Sequence, residues 1–247
     1  MPVRWTICGG LILALCAGTP AQAGPPYTVD DPGTLDHRGL FLYTSYIGSW
    51  QNGTVSDVLP QLVLGYGLRP DLEFAAGVSG FTSNVPGAVA FAPLGDPALA
   101  VKWRFQEETL GSPALAVGYQ ATVITVDAGL GSGFLTHSLW LTGSRTVGKG
   151  LLWGNLGVNV YPRPHLDESA YYGLAYDYPL GRRLRVGAEL HGNAAAPASG
   201  VTGDLTWGIG ATYALSSRNT LLLQAGRSFQ GTSDFNLYAG ILMRLNR

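Results

Sequence analysis

Phe235-Asn236-Leu237-Tyr238-Ala239-Gly240-Ile241-Leu242-Met243-Arg244-Leu245 alternates along its length. Phe235, Leu237, Ala239, Ile241, Met243 and Leu245 fall on one side of an extended chain, with Asn236, Tyr238, Gly240 and Arg244 on the other. Side chains of a β-strand point alternately to opposite faces, so this period of two describes a strand whose faces meet different surroundings. One face suits lipid and the other suits a wet or packed lumen, which is how a transmembrane β-barrel looks in sequence.

The same rhythm extends back to Gly39. Strand-like stretches cover approximately residues 39–49, 57–68, 72–81, 95–106, 114–125, 135–147, 151–161, 168–178, 183–194, 201–214, 220–228 and 235–245. Most reach the roughly 9 to 11 residues that cross a bilayer at a tilt. The fold class expected is therefore all-β, a single antiparallel up-and-down transmembrane β-barrel of about 12 strands. Arg69-Pro70-Asp71, Gly148-Lys149-Gly150, Pro179-Leu180-Gly181-Arg182 and Ser216-Ser217-Arg218-Asn219 are compact turns expected in the periplasm. The intervening connections (50–56, 82–94, 127–134, 162–167, 195–200 and 229–233) are generally longer and expected to face outward. Residues 107–113 form the one long connection expected on the periplasmic side.

Composition narrows the alternatives. Only 13% of residues are charged and the mean hydropathy is +0.15, yet past residue 23 no run of ~18 apolar residues could cross a bilayer as a helix. An apolar exported chain without such helices satisfies its backbone in lipid by closing a barrel. Export is expected from residues 1–23, which read as a secretory signal peptide. Arg4 supplies the positive region, Leu11 to Leu15 lie in the apolar core, and Ala21-Gln22-Ala23 is a small-x-small cleavage site. Both cysteines, Cys8 and Cys16, fall within that signal, so the exported chain has no disulfide. Its 14 basic and 16 acidic residues argue against nucleic acid as a partner.

Residues 24–38 form an expected periplasmic N-terminal segment, and 39–247 the barrel domain. The segment is Pro-rich and acidic. Two readings stand for it, a gate in the periplasmic mouth or a disordered lead, the second preferred.

Period two also assigns faces. Leu62, Leu64, Tyr66, Leu72, Phe74, Ala76 and Val78 face lipid, and outward aromatics Tyr66, Phe74, Phe105, Tyr178 and Tyr213 gather near periplasmic ends as an interfacial girdle. Candidate lumen or constriction residues are Glu73, Lys102, Arg104, Trp140, Trp153, Asp177, Arg183, Arg185, Glu189 and Arg244. The charged members either select solutes or pair with one another to fill the interior. Trp140 and Trp153, on adjacent strands, offer a stacking surface to an aromatic solute, with Asn155, Asn159 and Tyr171 as hydrogen-bonding neighbours; lumen filling explains the same residues.

Enzyme chemistry is not expected. His137 and Ser138 adjoin in sequence but point to opposite faces of a strand, and no serine can be matched to His191, His165 or His37. Gly129-Leu130-Gly131-Ser132-Gly133 has no helix after it to cradle phosphate. Asn52-Gly53-Thr54 is better explained by a turn than by glycosylation. No metal-ligand spacing and no cofactor motif is present.

Three stretches carry a resemblance. Thr28-Val29-Asp30-Asp31-Pro32, the hairpin Gly65-Tyr66-Gly67-Leu68-Arg69-Pro70-Asp71-Leu72-Glu73, and Gly95-Asp96-Pro97-Ala98-Leu99-Ala100-Val101-Lys102-Trp103-Arg104-Phe105 occur in that order. Together they resemble outer-membrane barrels of the transporter type assigned to the MetA pathway of phenol degradation. The resemblance implies a bacterial outer-membrane barrel that passes small aromatic or apolar compounds. It carries no catalytic motif. The end Leu245-Asn246-Arg247 departs from the aromatic terminus usual in such barrels, although Tyr238, Gly240, Met243 and Leu245 fit a terminal strand offered to the barrel assembly machinery.

The expected function is passive transport of small solutes by a monomeric barrel surrounded by outer-membrane lipid. The alternatives are a closed-lumen structural or interaction barrel and a lipid-modifying outer-membrane enzyme.

Overall fold

A computed structural model describes residues 26–85, 88–92, 95–123, 135–162, 168–199, 203–230 and 233–246. The expected signal peptide, the whole 127–134 connection with its glycine-rich run, and His165 lie outside the described residues.

The strands are β1 (Leu40–Gln51), β2 (Thr54–Arg69), β3 (Leu72–Val85), β4 (Ala88–Ala92), β5 (Ala98–Gln106), β6 (Ala114–Thr122), β7 (Thr136–Val147), β8 (Gly150–Val160), β9 (Ser169–Pro179), β10 (Leu184–Asn193), β11 (Asp204–Ala214), β12 (Asn219–Gln230) and β13 (Phe235–Arg244). Neighbours pair antiparallel, and β1 pairs with both β2 and β13, from Phe41↔Arg244 to Trp50↔Phe235, which closes the sheet. Closure gives the wall strands neighbours on both sides and so pairs their backbone groups within lipid; among the described residues the far edge of the short β4 has no strand beside it.

Among the described residues, thirteen strands fill twelve positions in the wall. The edge of β3 that faces away from β2 offers Phe81 to Val85 to β4 and Leu72 to Gly77 to β5, so β4 and β5 share one position. The third strand is thus longer than its alternation suggested, and part of the expected 82–94 loop is a hairpin.

The rule of long outer connections also needs correcting at β1–β2. Asn52 and Gly53, at φ 49° and 78°, make a two-residue turn with both residues left-handed, a turn that matches the twist of paired strands. Pairing here needs no longer loop.

The two faces separate as the alternation implies. Leu62, Leu64, Phe74, Leu139, Leu141, Leu156 and Ile209 are exposed on the outside, whereas Tyr43, Val63, Ala75, Trp140, Asn159 and Thr142 are buried inside. One apolar cluster of the interior joins Phe41, Tyr43, Val63, Ala75 and Ala100, with Leu35 and Leu242 against it. The rim that holds the turns at 70–71, 148–149, 180–183 and 215–218 also holds the chain end, where Asn246 Oδ1 accepts from Leu40 N and Asn246 Nδ2 donates to Arg38 O. We call this the inner rim and the opposite one the outer rim.

Candidate functional site in the lumen

The described part of the segment before β1, residues 26–39, lies inside the barrel. It is neither a free lead nor confined to the mouth. At the inner rim Arg38 N donates to Gly67 O (2.7 Å), His37 Nδ1 to Leu68 O (2.9 Å) and Thr34 Oγ1 to Pro70 O (2.8 Å). Leu35 N donates to Glu73 Oε2 at 3.0 Å. From there the chain crosses the interior toward β10 and β11.

Asp30 is the centre of the crossing, and it has no exposed surface. Its Oδ1 accepts from Lys102 Nζ on β5 (3.1 Å), its Oδ2 from Trp140 Nε1 on β7 (2.6 Å), and its carbonyl from Thr142 Oγ1 (2.6 Å). Lys102 Nζ also donates to Asp31 O at 3.0 Å. Burial pushes the Asp30 carboxyl up to about 7, with the Lys102 ammonium opposing the rise.

Beyond Asp30 the wall takes hold of the backbone itself. Trp153 Nε1 on β8 donates to Val29 O (2.7 Å), while Thr28 N (2.8 Å) and Val29 N (3.0 Å) share Glu189 Oε2 on β10. The other oxygen of Glu189 accepts from Gln224 Nε2. Tyr27 packs edge-on to Trp153, ring centroids 5.2 Å apart, and its hydroxyl donates to Gly210 O at 3.4 Å.

The segment needs room as well as partners, and glycines on four strands supply it. A Cβ on Gly173 would sit 2.4 Å from Val29 Cγ2, one on Gly187 2.5 Å from the Tyr27 hydroxyl, one on Gly210 2.6 Å from Tyr27 Cε1, and one on Gly67 2.0 Å from Asp36 O. A side chain at any of these positions would occupy the space that the segment fills.

Five of the ten residues singled out from the sequence meet on this one segment: Glu73, Lys102, Trp140, Trp153 and Glu189. Asp177 and Arg185 pair with each other instead, Arg185 Nε donating to Asp177 Oδ2 at 2.6 Å. Arg104 lies at the inner rim on Pro70 O (3.1 Å) and Glu107 (2.8 Å). Arg183, in the turn before β10, and Arg244, at the end of β13, are exposed.

The indoles of Trp140 and Trp153 each donate to the segment, so no open stacking surface exists while it is docked. Asn159 is likewise engaged, accepting from Ser138 Oγ (2.6 Å) and donating to Ser169 Oγ (3.3 Å). His137 faces outward with Tyr119 (2.6 Å) and His191 lies 3.7 Å from Glu189, so neither is paired with Ser138.

Asp30, Thr142 and Gln224 were not singled out from the sequence as contacts. Asp30 was visible as part of an acidic run, but nothing local shows that its partners lie 72 and 110 residues away.

No protein-family model matches the chain, and no curated protein matches it. Solved structures do. The COG4313 outer membrane channel from Pseudomonas putida F1 superposes with a TM-score of 0.68 at 16% identity, covering 87% of this chain and 98% of the channel. A KdgM porin gives 0.59 at 10% identity over 83% of this chain and 99% of the porin. The translocator domain of the autotransporter NalP from Neisseria meningitidis gives 0.53 at 14% identity, covering 88% and 91%. A channel, a porin and a translocator share one architecture with this chain, and at these identities the likeness establishes the fold of outer-membrane β-barrels.

Proposed function

We propose that this chain is a passive outer-membrane channel for small solutes, held closed by its own N-terminal segment. One observation carries the reading: the wall is hydrogen-bonded all the way round without the segment, while the segment is held by side chains that reach in from five strands. A closed wall can stand when the segment leaves. The described channel and porin of the same fold support this reading.

Departure of the segment would uncover the indoles of Trp140 and Trp153, on either side of the middle of the β7–β8 pair. This supports, with the resemblance to phenol-pathway barrels, small aromatic or apolar compounds as the solutes. The test is current block in a chain that begins at Asp36. Phenol or toluene interrupts its current, and Trp140→Ala with Trp153→Ala raises the blocking concentration about tenfold, the loss of ring contacts worth about 1.4 kcal/mol. Block that is unchanged by the double substitution would refute the aromatic assignment and leave the channel reading intact.

Closure should also depend on pH. A free aspartate titrates at about 3.9, below the value of about 7 that burial imposes on docked Asp30. The protonated form therefore docks better. That contribution is full below about pH 4 and is lost as pH rises through about 7. Lys102, Asp31 and Trp140 act on the carboxyl and Tyr43 and Tyr171 lie within its field, so the comparison is made against Asp30→Asn in an otherwise unchanged chain. Wild-type protein opens more often at pH 8 than at pH 5, by a margin that Asp30→Asn lacks; equal pH dependence in both would exclude Asp30 as its source.

A further inference from the structure

On the outside of β12, Arg227 is exposed near the outer rim, and its guanidinium makes no ion pair or hydrogen bond among the described residues. Asp57 and His137, on the outer half of the same face, have protein partners: Asp57 accepts from Tyr46 (2.5 Å) and His137 bonds Tyr119. Asp234, close by in the chain, accepts from Asn52 N.

Aromatic rings surround the unpaired cation. Trp207 stands directly opposite Arg227 on β11. Two residues on, Phe229 points outward by strand alternation, 68% exposed, with its ring 6.3 Å from that of Trp207, and a register shift between Leu205 and Thr206 leaves it without a residue opposite on β11. On the other flank, Phe235 of β13 packs on Trp50 of β1 at 5.2 Å. Aromatic residues in such a row mark the level of lipid headgroups. A guanidinium on a lipid-facing wall is costly unless an anion meets it, and its planar fork matches the oxygens of a phosphate.

We propose that Arg227, between Trp207 and Phe235, binds a phosphate group of lipid A in the outer leaflet, while the rings pack on its acyl chains. The site rests on the outer-membrane reading with both termini periplasmic, because the outer rim then meets the leaflet that holds lipid A. It is independent of conduction.

The chain starting at Gly24 is refolded into neutral detergent and titrated with lipid A, with bound lipid counted by native mass spectrometry and Trp207 emission followed in parallel. Arg227→Gln is expected to weaken binding about fivefold, the contribution of one basic group near an anionic surface. Arg182→Gln, in an inner-rim turn, should leave binding unchanged, and lipid A stripped of its phosphates should bind wild type and Arg227→Gln equally. Equal affinity of wild type and Arg227→Gln for intact lipid A would overturn the proposal. Phosphatidylglycerol binding as tightly as lipid A would also overturn it, by assigning the phosphate to another lipid. A barrel that never conducts but passes this test would sink the channel reading alone.

Discussion

Gly210→Val opens the channel without altering a single residue of the segment. The three atoms nearest a Cβ at this position belong to Pro26 and Tyr27, at 2.6 to 3.0 Å, and none belongs to the wall. Contacts that close do not occur between real atoms, so Tyr27 must leave its place on Trp153 or the strand must shift. The strand is held on both sides, Gly210 facing Gly187 on β10 and Gln224 on β12. Tyr27 is bound by one long hydrogen bond and an aromatic contact, so it is the part that yields. Loss of both contacts weakens docking by about 2 kcal/mol, or roughly thirtyfold in the docked-to-undocked ratio. The measurement is open probability in a planar bilayer, with heat-modifiable migration on a gel reporting the fold. A rise in opening with an unchanged barrel is expected. A variant that stays folded and as closed as the wild type would show that Tyr27 does not hold the segment.

Lys102 and Asp30 carry the second large effect. Lys102→Met leaves a buried carboxylate without its counter-charge, which for a buried pair costs about 3 kcal/mol, at the low end of the range because Asp30 can take up a proton. Docking then falls on the order of a hundredfold. Asp30→Asn in the same chain removes the stranded charge, and the amide can still accept from Trp140 Nε1, so most of the loss is recovered. Maleimide labelling of a cysteine placed at Val29 reads occupancy directly: slow in wild type, fast in Lys102→Met and slow again in the double variant. Equal labelling of the single and double variants would show that the two side chains do not act as a pair.

The wall was legible because its residues answer to a local rule. In β13, Leu237 and Ile241 go to lipid while Tyr238 and Gly240 go inward, and their neighbours in sequence are enough to say so. The turns at Arg69-Pro70-Asp71 and Asn52-Gly53 are written in residues that favour them. The wall becomes harder to read where the rule is interrupted. The pairing of β2 with β3 shifts register between Val58 and Gln61, and β3 exchanges β5 for β4 along one edge, so alternation underestimates the length of β3.

The segment was not legible, for a different reason. Thr28 to Leu35 has no period of its own, since its conformation follows from partners on β3, β5, β7, β8 and β10. Sequence gave the faces of Glu73, Lys102, Trp140, Trp153 and Glu189 but not what lay opposite them. Glycine was an overlooked signal. Gly67, Gly173, Gly187 and Gly210 all sit within strands, where glycine is a poor choice unless another chain approaches closely.

Side-by-side conductance and liposome swelling of two refolded chains, one starting at Gly24 and one at Asp36, test most directly whether the segment closes the lumen. The shortened barrel should remain folded, conduct steadily at about ten times the level of the longer chain, and admit small neutral solutes that the longer chain excludes. A shortened barrel that folds but conducts no better would contradict the account, and would make this chain a closed barrel whose work is done outside its lumen.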